Sequence, residues 1–565
     1  MDWITGDRGK LIKDPVYGYI RLSDTAIDII NTDSFQRLRN IRQTSYAPLY
    51  PSSLHNRFVH SIGVYHLGCI ASETLKRYAG DLDDIDQITE TFITACLLHD
   101  VGHAPFSHIG EDFFDIPKDS QYYPSLRTIL TDTVKDDCFA QESLKMPNKA
   151  AAPHECMSVI IALKYFSPYI ADDYRSFFAR CITGYHYLEV SSPREQILNC
   201  YISLLHSSLI DVDRLDYVIR DAFFSGFQSV SIDYERLLKG LVISGSLDDP
   251  DERKLAYHKS SLSIIEGAIY AHDAERKWIQ NHPTILYENM LTIHTIRNVI
   301  NFMENDFNEG SCLFSFNALS PAGCIFEFKA SLGHGDLKYK KHIRLLADED
   351  ILHIAKNDLF DDPLIRELFS RDLRRHAIWK SESSYRALFE GALGRGAEIL
   401  NMLEAAFVSV EKFLLTSGDD RSFPCINSEA IEKITTHLQY LEQETMSLGT
   451  RQFRHALHFV NSLQEYCREN NVEFNFMLVT ARRFKSNFEN DIDNILIFFP
   501  ETNKAYKATN VSAFLKSDVI LSKSSFFYLF HTRKTEDGIS SKTIDPKSLA
   551  LQLIGAAVKL MNAAV

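Results

Sequence analysis

Apolar residues in the first half of the chain recur every three or four positions, the spacing of a helix that buries one face. The residues that first follow this spacing are Ile27, Ile30, Phe35, Leu38 and Ile41. The pattern predicts one helix over residues 23–43, one over 52–79, a helix with its outgoing loop over 85–109, and helical runs within 195–227. Pro153, followed by His154 and Glu155, predicts the start of another helix, since proline is favoured in a first helical turn.

The second half of the chain mixes helical patterns with strand-like runs. Residues 311–440 carry charged helical faces such as RELFSRDLRRH and are predicted to be mostly helical. Residues 441–565 contain FNFMLVTA, NILIFFP and SFFYLFH, aromatic and aliphatic runs that predict strands. We therefore predict a mainly α fold, with an all-helical core over residues 1–310, a helical extension over 311–440 and a smaller α+β C-terminal lobe over 441–565.

Composition narrows the class of protein. The 565 residues are enough for two or three domains, and 45% hydrophobic with 24% charged residues is typical of a soluble globular protein. No apolar run reaches the roughly 18 residues of a membrane span, and MDWITGDRGK lacks the apolar stretch of a secretory signal. The ten cysteines form no CxxC pair, which predicts reduced thiols in a cytoplasmic protein. The net charge of −15 argues against strong binding to duplex DNA.

One stretch, TACLLHDVGHAPFSH at residues 94–108, carries the densest candidate chemistry. Its apolar run ends at His99 and Asp100, and Gly102 and Pro105 then predict the end of a buried helix. Neighbouring residues diverge by about 100° on a helix, so His99 and Asp100 can share an ion only at a helix end. Imidazole and carboxylate ligands are typical of iron, manganese, zinc or magnesium sites, rather than of a structural zinc site with thiolate ligands.

Two further blocks accompany this stretch, HNRFVHS at residues 55–61 and IDVDRLDY at residues 210–217. His60 shares a predicted helix face with Val64, Leu67 and Ala71 and is therefore aimed inward. Together the three blocks resemble the HD-domain metal phosphohydrolases, and more narrowly their deoxynucleoside triphosphate triphosphohydrolase branch. The resemblance runs from about Lys10 to about His282, so the predicted core is an HD phosphohydrolase core.

The resemblance implies a metal-dependent active site. Its metal ligands would be His60, His99, Asp100 and Asp213. They would hold a divalent ion (Fe, Mn, Mg or Zn), with room for a second. The resemblance gives His108 the role of general acid, His103 a phosphate-orienting role and His154 a hydrogen-bonding role near the phosphates. Imidazole suits such proton transfer because it titrates near neutral pH.

The resemblance also implies a nucleotide pocket. Asp213, Tyr217 and Asp221 lie four residues apart on one predicted helix face, where the last two would hold the 3′-hydroxyl. Arg57 would grip the α-phosphate, for which a forked guanidinium is suited. Arg214 stands where the family has a phosphate-binding lysine, and Gln43 would contact the sugar.

Regulation is implied by two more positions. Lys10 and Arg39 match residues that contact an effector nucleotide in the family. The guanine-reading aspartate of the family falls on Asn31, and an amide cannot accept two N–H bonds as a carboxylate does, so activation by GTP is not expected. The family arginine for the terminal phosphate falls on His272, with Arg276 and Lys277 as alternative candidates, and the family tyrosine near the base falls on Gln280. Neither the base preference nor the terminal-phosphate contact of the family therefore carries over.

The segment between His108 and His154 is longer than in the family and predicts an acidic insertion over about residues 110–153. It is either a lid or partner surface beside the site, or a tolerated surface excursion.

The leading hypothesis is hydrolysis of a dNTP to a deoxynucleoside and inorganic triphosphate, regulated by a nucleotide, in a homo-oligomer of two to six chains. This activity would limit cellular dNTPs, either to control their pool or in defence against phage. The alternative is an HD-type nuclease or phosphodiesterase acting on oligonucleotides or cyclic nucleotides, and a third reading is a nucleotide-binding regulator without turnover. No membrane partner is expected.

Overall fold

The structure is a computed structural model. It describes residues 9–79, 82–114, 125–145, 151–190, 192–206, 210–227, 231–244, 253–304, 312–332, 335–389, 396–416, 424–443, 447–482, 494–512, 525–532 and 543–563.

Helices make up most of the described chain. In chain order they are α1 (Asp24–Ile30), α2 (Asp33–Gln36), α3 (Arg57–Leu75), α4 (Ile85–Leu98), α5 (His108–Glu111), α6 (Leu126–Val134), α7 (Asp137–Lys145), α8 (Pro153–Tyr165), α9 (Arg175–Thr183), α10 (Pro193–Leu205), α11 (Val212–Ser225), α12 (Tyr234–Lys239), α13 (Leu262–Glu275), α14 (Pro283–Glu304), α15 (Phe316–Leu319), α16 (Asp348–Asp358), α17 (Pro363–Phe369), α18 (Glu382–Phe389), α19 (Gly396–Thr416), α20 (Ser428–Gln443), α21 (Ser447–Asn470), α22 (Ala508–Val511) and α23 (Pro546–Ala563).

The strands are shorter and are distributed along the whole chain. They are β1 (Lys10–Asp14), β2 (Gly18–Leu22), β3 (Leu241–Ser244), β4 (Lys254–His258), β5 (Cys324–Leu332), β6 (Gly335–Ile343), β7 (His376–Ala377), β8 (Cys425–Ile426), β9 (Phe476–Arg482), β10 (Leu496–Phe499), β11 (Lys504–Lys507) and β12 (Ser525–His531). The predicted fold class, mainly helical with a smaller sheet-containing region, is confirmed.

The chain forms two compact units. The first comprises residues 1–275, 303–352 and 486–519. In it α3 packs against α4, α11 and α12, and α8 packs against α6 and α9. A four-stranded sheet has the order β11-β10-β4-β3, in which β10 is parallel to β4 and the other neighbours are antiparallel. Strands β1 and β2 form an antiparallel hairpin, as do β5 and β6.

The second unit comprises residues 276–302, 353–485 and 520–565. Its antiparallel sheet has the order β7-β12-β9-β8, and α19, α21 and α23 pack together beside it. Trp379 is buried among aromatic rings of this unit, and its indole N–H donates to the Phe527 carbonyl at 2.8 Å. The predicted division at residues 310 and 440 stays a prediction.

The helix predicted over residues 23–43 is interrupted, and the helical patterns predicted within residues 195–227 form two helices. Residues 23–43 form α1, α2 and a 3₁₀ turn at Arg37–Asn40, because the Thr32 hydroxyl caps a new helix by accepting from the Phe35 N–H. Residues 195–227 form α10 and α11, because the Asp211 carboxylate caps α11 by accepting from the Arg214 N–H. Side-chain caps compete locally with helix continuation, and apolar periodicity does not reveal them.

Two strand predictions were incomplete. The hairpin of β5 and β6 lies within residues predicted to be mostly helical. The three runs predicted as one C-terminal lobe are β9, β10 and β12, yet β10 joins the sheet of the first unit while β9 and β12 join that of the second. Sheet membership depends on partners far along the chain, which local propensity does not specify.

The predicted insertion is partly helical. Its residues 115–124 and 146–150 lie outside the described residues. Helices α6 and α7 occupy most of the remainder. Glu142 on α7 forms an ion pair of 2.6 Å with Arg180 on α9, and both residues are buried. This part of the insertion is therefore packed structure.

Among the residues described, no helix combines the length and the apolar character needed to cross a membrane.

Helices α3 and α11 approach closely at Gly63. A Cβ at this position would lie 1.9 Å from Oδ1 of Asp216 and 2.5 Å from Nη2 of Arg220. Both side chains are fully buried and bonded to each other, with Arg220 Nε 2.9 Å from Asp216 Oδ2. The absence of a side chain at Gly63 therefore permits this buried ion pair of α11 to lie directly against α3.

We predict that Gly63→Ala lowers the free energy of unfolding by about 1–3 kcal/mol, because the methyl group displaces the buried pair. Gly555→Ala in α23 is the matched control, since nothing lies within 4 Å of its added Cβ. That variant should gain about 0.5–1 kcal/mol, as alanine favours a helix interior. Chemical denaturation measures both changes, and equal effects of the two variants would contradict the packing argument.

Candidate functional site

The loop after α4, residues 99–107, is held in place by a buried arginine of the first unit. Arg37 donates from Nε to the Leu346 carbonyl at 2.7 Å, from Nη1 to the Val101 carbonyl at 3.3 Å and from Nη2 to the His103 carbonyl at 2.5 Å. Burial lowers the pKa of Arg37 to about 9. The guanidinium thus satisfies buried backbone carbonyls of the loop after α4 and of residue 346.

A buried carboxylate fixes the far end of the same loop. Asp348 accepts from the backbone N–H of Phe106 at 2.6 Å and from that of Arg42 at 3.0 Å. Phe106 and Ser107 have φ values of 60° and 55°, a conformation that costs energy for residues with a side chain. These anchors compensate for that strain in the turn that leads into His108.

The first cluster brings together the four predicted metal ligands. His60 Nε2 lies 2.9 Å from Asp213 Oδ1 and 3.5 Å from Asp100 Oδ2. His99 Nε2 lies 3.3 Å from His60 Nε2, 3.4 Å from Asp100 Oδ1 and 3.6 Å from Asp213 Oδ1. His60, His99 and Asp100 can each offer a ligand atom, all within 4.8 Å of one another. Two imidazoles and two carboxylates form a donor set that fits a divalent ion.

Hydrogen bonds orient both imidazoles of this cluster. His60 Nδ1 lies 2.7 Å from Asp216 Oδ2, and Arg220 holds Asp216 in turn. His99 Nδ1 lies 2.9 Å from the Cys96 carbonyl. These bonds point Nε2 of each ring into the cluster, as metal-binding histidines require.

The charges of the first cluster are coupled. Burial by itself lowers the pKa of His60, but hydrogen bonds to Asp213 and Asp216 raise that pKa to about 10. Burial raises the pKa of Asp213, yet hydrogen bonds to His60 and His99 hold it well below its usual value. Asp213 is therefore ionised, and an ion that binds here displaces a proton from His60.

A second cluster contains the three predicted catalytic histidines. His108 Nδ1 lies 2.5 Å from Glu111 Oε1, and His154 Nδ1 lies 2.9 Å from Glu111 Oε2. The rings of His103 and His154 stack with centroids 4.2 Å apart and planes 12° apart. Burial lowers the pKa of His154, but the charge of Glu111 raises it to about 9, so this ring is a cation at neutral pH.

Arg57 lies beside the first cluster. Its Nη1 donates to Asp100 Oδ2 at 2.7 Å and its Nε to Ser107 Oγ at 2.9 Å. Burial opposes ionisation of Asp100, but the Arg57 charge and then the His99 charge hold its pKa below the usual range. Arg57 thus connects Asp100 of the first cluster to Ser107 at the end of the loop after α4.

The predicted sugar-binding residues lie on α11 and near its facing segments. Asp221 Oδ1 lies 2.6 Å from His55 Nε2, and burial raises the pKa of Asp221 to about 7. The Tyr217 ring lies 6.0 Å from that of His272. Gln43 is buried, and its Oε1 has no hydrogen-bond partner within the described part of the chain. Arg214 is in the first turn of α11, and its pKa is raised, against the effect of burial, by Tyr217 and Asp211.

The predicted effector residues also lie in the first unit. Lys10 is exposed on β1. Arg39 stacks on the Phe58 ring of α3, at 3.6 Å from its centroid, and donates from Nε to Gln36 Oε1 of α2 at 2.8 Å. The predicted effector role of both residues stays a prediction.

Sequence reasoning missed two residues of the site. Asp216 accepts from His60, and Glu111 contacts three imidazoles. Both follow a predicted site residue by three positions, Asp213 and His108 respectively. This i,i+3 spacing places both side chains on one helix face and is the signal that could have found them.

Comparison with known proteins agrees with this geometry. Residues 57–128 match the family model described as the HD domain. Over 42% of its length the chain is 30% identical to the deoxynucleoside triphosphate triphosphohydrolase SAMHD1 homolog of Dictyostelium discoideum. Over 42% of its length it is also 32% identical to the deoxynucleoside triphosphate triphosphohydrolase SAMHD1 of Gallus gallus. An uncharacterized protein of Mycoplasma genitalium is 29% identical over 45% of this chain.

This chain therefore carries an HD domain, the kind of domain found in metal-dependent hydrolases, and the predicted resemblance is confirmed. More particularly, it is similar to the SAMHD1 triphosphohydrolases over about 40% of its length. The chain spans between 37% and 52% of the length of the three relatives named.

We predict that Asp216→Asn weakens binding of a divalent ion by about 10–100-fold, because the amide no longer orients His60 as the carboxylate does. Asp14→Asn is the matched control. Asp14 Oδ2 also accepts from Arg220, at 2.9 Å, but has no bond to His60. Titration of metal-free protein with Co²⁺ measures both affinities, and equal losses would show that only the arginine network matters.

We predict that Asp348 makes stability depend on pH. Burial raises its folded pKa to about 6, above the unfolded value of about 3.9. Its stabilising contribution is present below about pH 4 and is lost as pH rises through about 6. The free energy of unfolding of the wild type, relative to Asp348→Asn, should fall by up to about 3 kcal/mol from pH 4 to 7.

The control for this pH dependence is Glu349→Gln, a change of the exposed neighbouring carboxylate. Its stability should follow the wild-type curve across the same range. Parallel curves for the wild type and Asp348→Asn, measured by denaturation at several pH values, would contradict the assignment.

Proposed function

We propose that this protein hydrolyses deoxynucleoside triphosphates to deoxynucleosides and inorganic triphosphate with a divalent metal ion. The observation that carries the proposal is the convergence of four side chains, those of His60, His99, Asp100 and Asp213. Arg57 donates to the Asp100 carboxylate of this cluster at 2.7 Å. Similarity to the SAMHD1 triphosphohydrolases supports the nucleotide specificity.

The ion, when bound, supplies a Lewis acid that polarises phosphoryl oxygen and lowers the pKa of water. The residues of the chain bind and orient the substrate. Arg57 and Arg214 offset the negative charge that grows on the phosphate, an effect worth most in a site that excludes water. The exposed side chain of His108 would give a proton to the departing 5′-oxygen, and Glu111 Oε1 lies 2.5 Å from its Nδ1.

Side chains of α11 and of the segments beside it would bind the deoxyribose of the substrate. Tyr217 and Asp221 would meet the 3′-hydroxyl, and Gln43 offers a buried amide oxygen for the sugar. His55 fixes the Asp221 carboxyl at 2.6 Å. Burial lowers the pKa of His55 to about 3, so this imidazole is neutral and adds no positive charge beside Asp221. A carboxyl in this setting recognises a hydroxyl through hydrogen bonds.

Regulation by a nucleotide in a homo-oligomer forms part of the proposal. Lys10 and Arg39 would contact the effector phosphates. Asn31 follows α1 at its C-cap and offers one amide oxygen, which fits an effector other than GTP.

The test is incubation with each of the four dNTPs and Mn²⁺ or Mg²⁺, followed by chromatography of the products. We expect deoxynucleoside and triphosphate, with Asp213→Ala lowering the rate on the order of 10³-fold, since metal catalysis contributes several kcal/mol. His353→Ala, a change of an exposed histidine, should leave the rate unchanged.

Release of monophosphate and pyrophosphate would contradict attack at the α-phosphorus with a nucleoside leaving group. Degradation of oligonucleotides or cyclic nucleotides without turnover of any dNTP would instead favour a nuclease or phosphodiesterase.

A further inference from the structure

Helix α13 brings a second carboxyl group to Asp221. Asp221 on α11 forms a hydrogen bond with the side chain of Glu275, the last residue of α13, and the two helices pack against each other. Both residues are buried, with 2% and 4% of their surface exposed. Two carboxyl groups bond to each other only when one of them carries a proton, since two carboxylates offer acceptors alone. The contact therefore implies one proton shared between Asp221 and Glu275.

Each carboxyl group of this pair also contacts a second residue. The Tyr46 hydroxyl donates to Glu275 Oε1 at 2.7 Å, and His55 Nε2 lies 2.6 Å from Asp221 Oδ1. The four side chains thus form one connected series from three separate parts of the chain. A rotation of the Asp221 carboxyl would break its bonds to His55 and to Glu275 together, so the series fixes the orientation of that carboxyl.

The surroundings of the pair favour retention of the shared proton. The side chains that act on it include Tyr46, His55, Arg57, His60, Asp216 and Tyr217. Burial raises the pKa of Asp221 to about 7, against the charge of His60 and the hydrogen bond with Glu275. Below that pH the pair carries one negative charge. Above it the proton is lost, and two buried carboxylates repel each other.

We propose that Glu275 is a positioning residue of the sugar pocket, which shares a proton with Asp221 and so holds that carboxyl ready for the 3′-hydroxyl of a dNTP. The inference rests on the proposed function, in which Asp221 meets this hydroxyl. While the proton is present, the pair still offers an acceptor oxygen to the ligand. When the proton leaves, repulsion replaces the bond between the two carboxyl groups, and Asp221 loses the orientation that the hydroxyl requires.

The test compares a dNTP with its 2′,3′-dideoxy counterpart, which lacks the hydroxyl, in the full chain with Mn²⁺. The KM of the dNTP is divided by the inhibition constant of the dideoxy compound. This ratio isolates the sugar contact, because the phosphates and the metal ion are common to both ligands. We expect the preference of the wild type for the dNTP to fall roughly tenfold for each pH unit above about 7, as one proton is released.

Two substitutions separate positioning from packing. Glu275→Gln supplies an amide N–H that donates to Asp221 at every pH, so this variant should keep the preference of the wild type at about pH 6 and hold it up to about pH 9. Glu275→Leu, which cannot bond to Asp221, should lose the preference at least about tenfold throughout that range.

The matched control is Glu404→Gln. Glu404 is also a buried carboxyl group that accepts from a tyrosine, with the Tyr385 hydroxyl at 3.0 Å. This variant should follow the pH curve of the wild type.

A second measurement does not depend on turnover. The infrared spectrum of the wild type at about pH 6, minus that of Glu275→Gln, should contain the C=O band of a protonated carboxyl group, and this band should vanish by about pH 9. Absence of the band, or equal pH curves of the preference for the wild type and Glu275→Gln, would overturn the inference. The band without hydrolysis of any dNTP would support the shared proton and contradict the proposed function.

Discussion

The bond between His60 and Asp216 is the interaction on which the site depends. His60 is on α3 and Asp216 on α11, 156 residues apart, and their 2.7 Å contact fixes how the two helices face each other. Because Asp213 lies one turn before Asp216 on α11, the same contact brings its carboxylate to 2.9 Å from His60. Gly63 allows the approach. A displacement of either helix would therefore separate the ligands as well as break the bond.

Buried charge is the main physical cost of this arrangement. Asp216 and Asp14 share Arg220, and Asp100 is paired with Arg57, all of them buried. Removal of one partner from such a pair leaves an uncompensated charge in a medium of low polarity. The pairs hold carboxylates ionised at the candidate metal cluster, so they contribute to the electrostatics of the site more than to the net stability of the fold.

The loop between α4 and α5 joins the two histidine clusters. Its first residues enter the cluster around Asp100, its last lead to His108, and His103 lies between them with one nitrogen toward each. Arg37 and Asp348 hold this loop from outside the HD motifs. Rigid support of this kind suits a site whose side chains must be positioned within a fraction of an ångström.

Much of the local structure and the candidate ligands could be predicted from the sequence, since helical periodicity and the three short blocks depend on neighbouring residues. His60, His99, Asp100 and Asp213 were predicted together, and the structure brings them together. Tertiary structure alone decided that Asp348 bonds to Phe106, 242 residues away, and that β10 and β12 belong to different sheets. It also decided that Glu111 faces three imidazoles. Such contacts arise when distant segments bury their polar groups against each other, and no local pattern encodes which segments will meet.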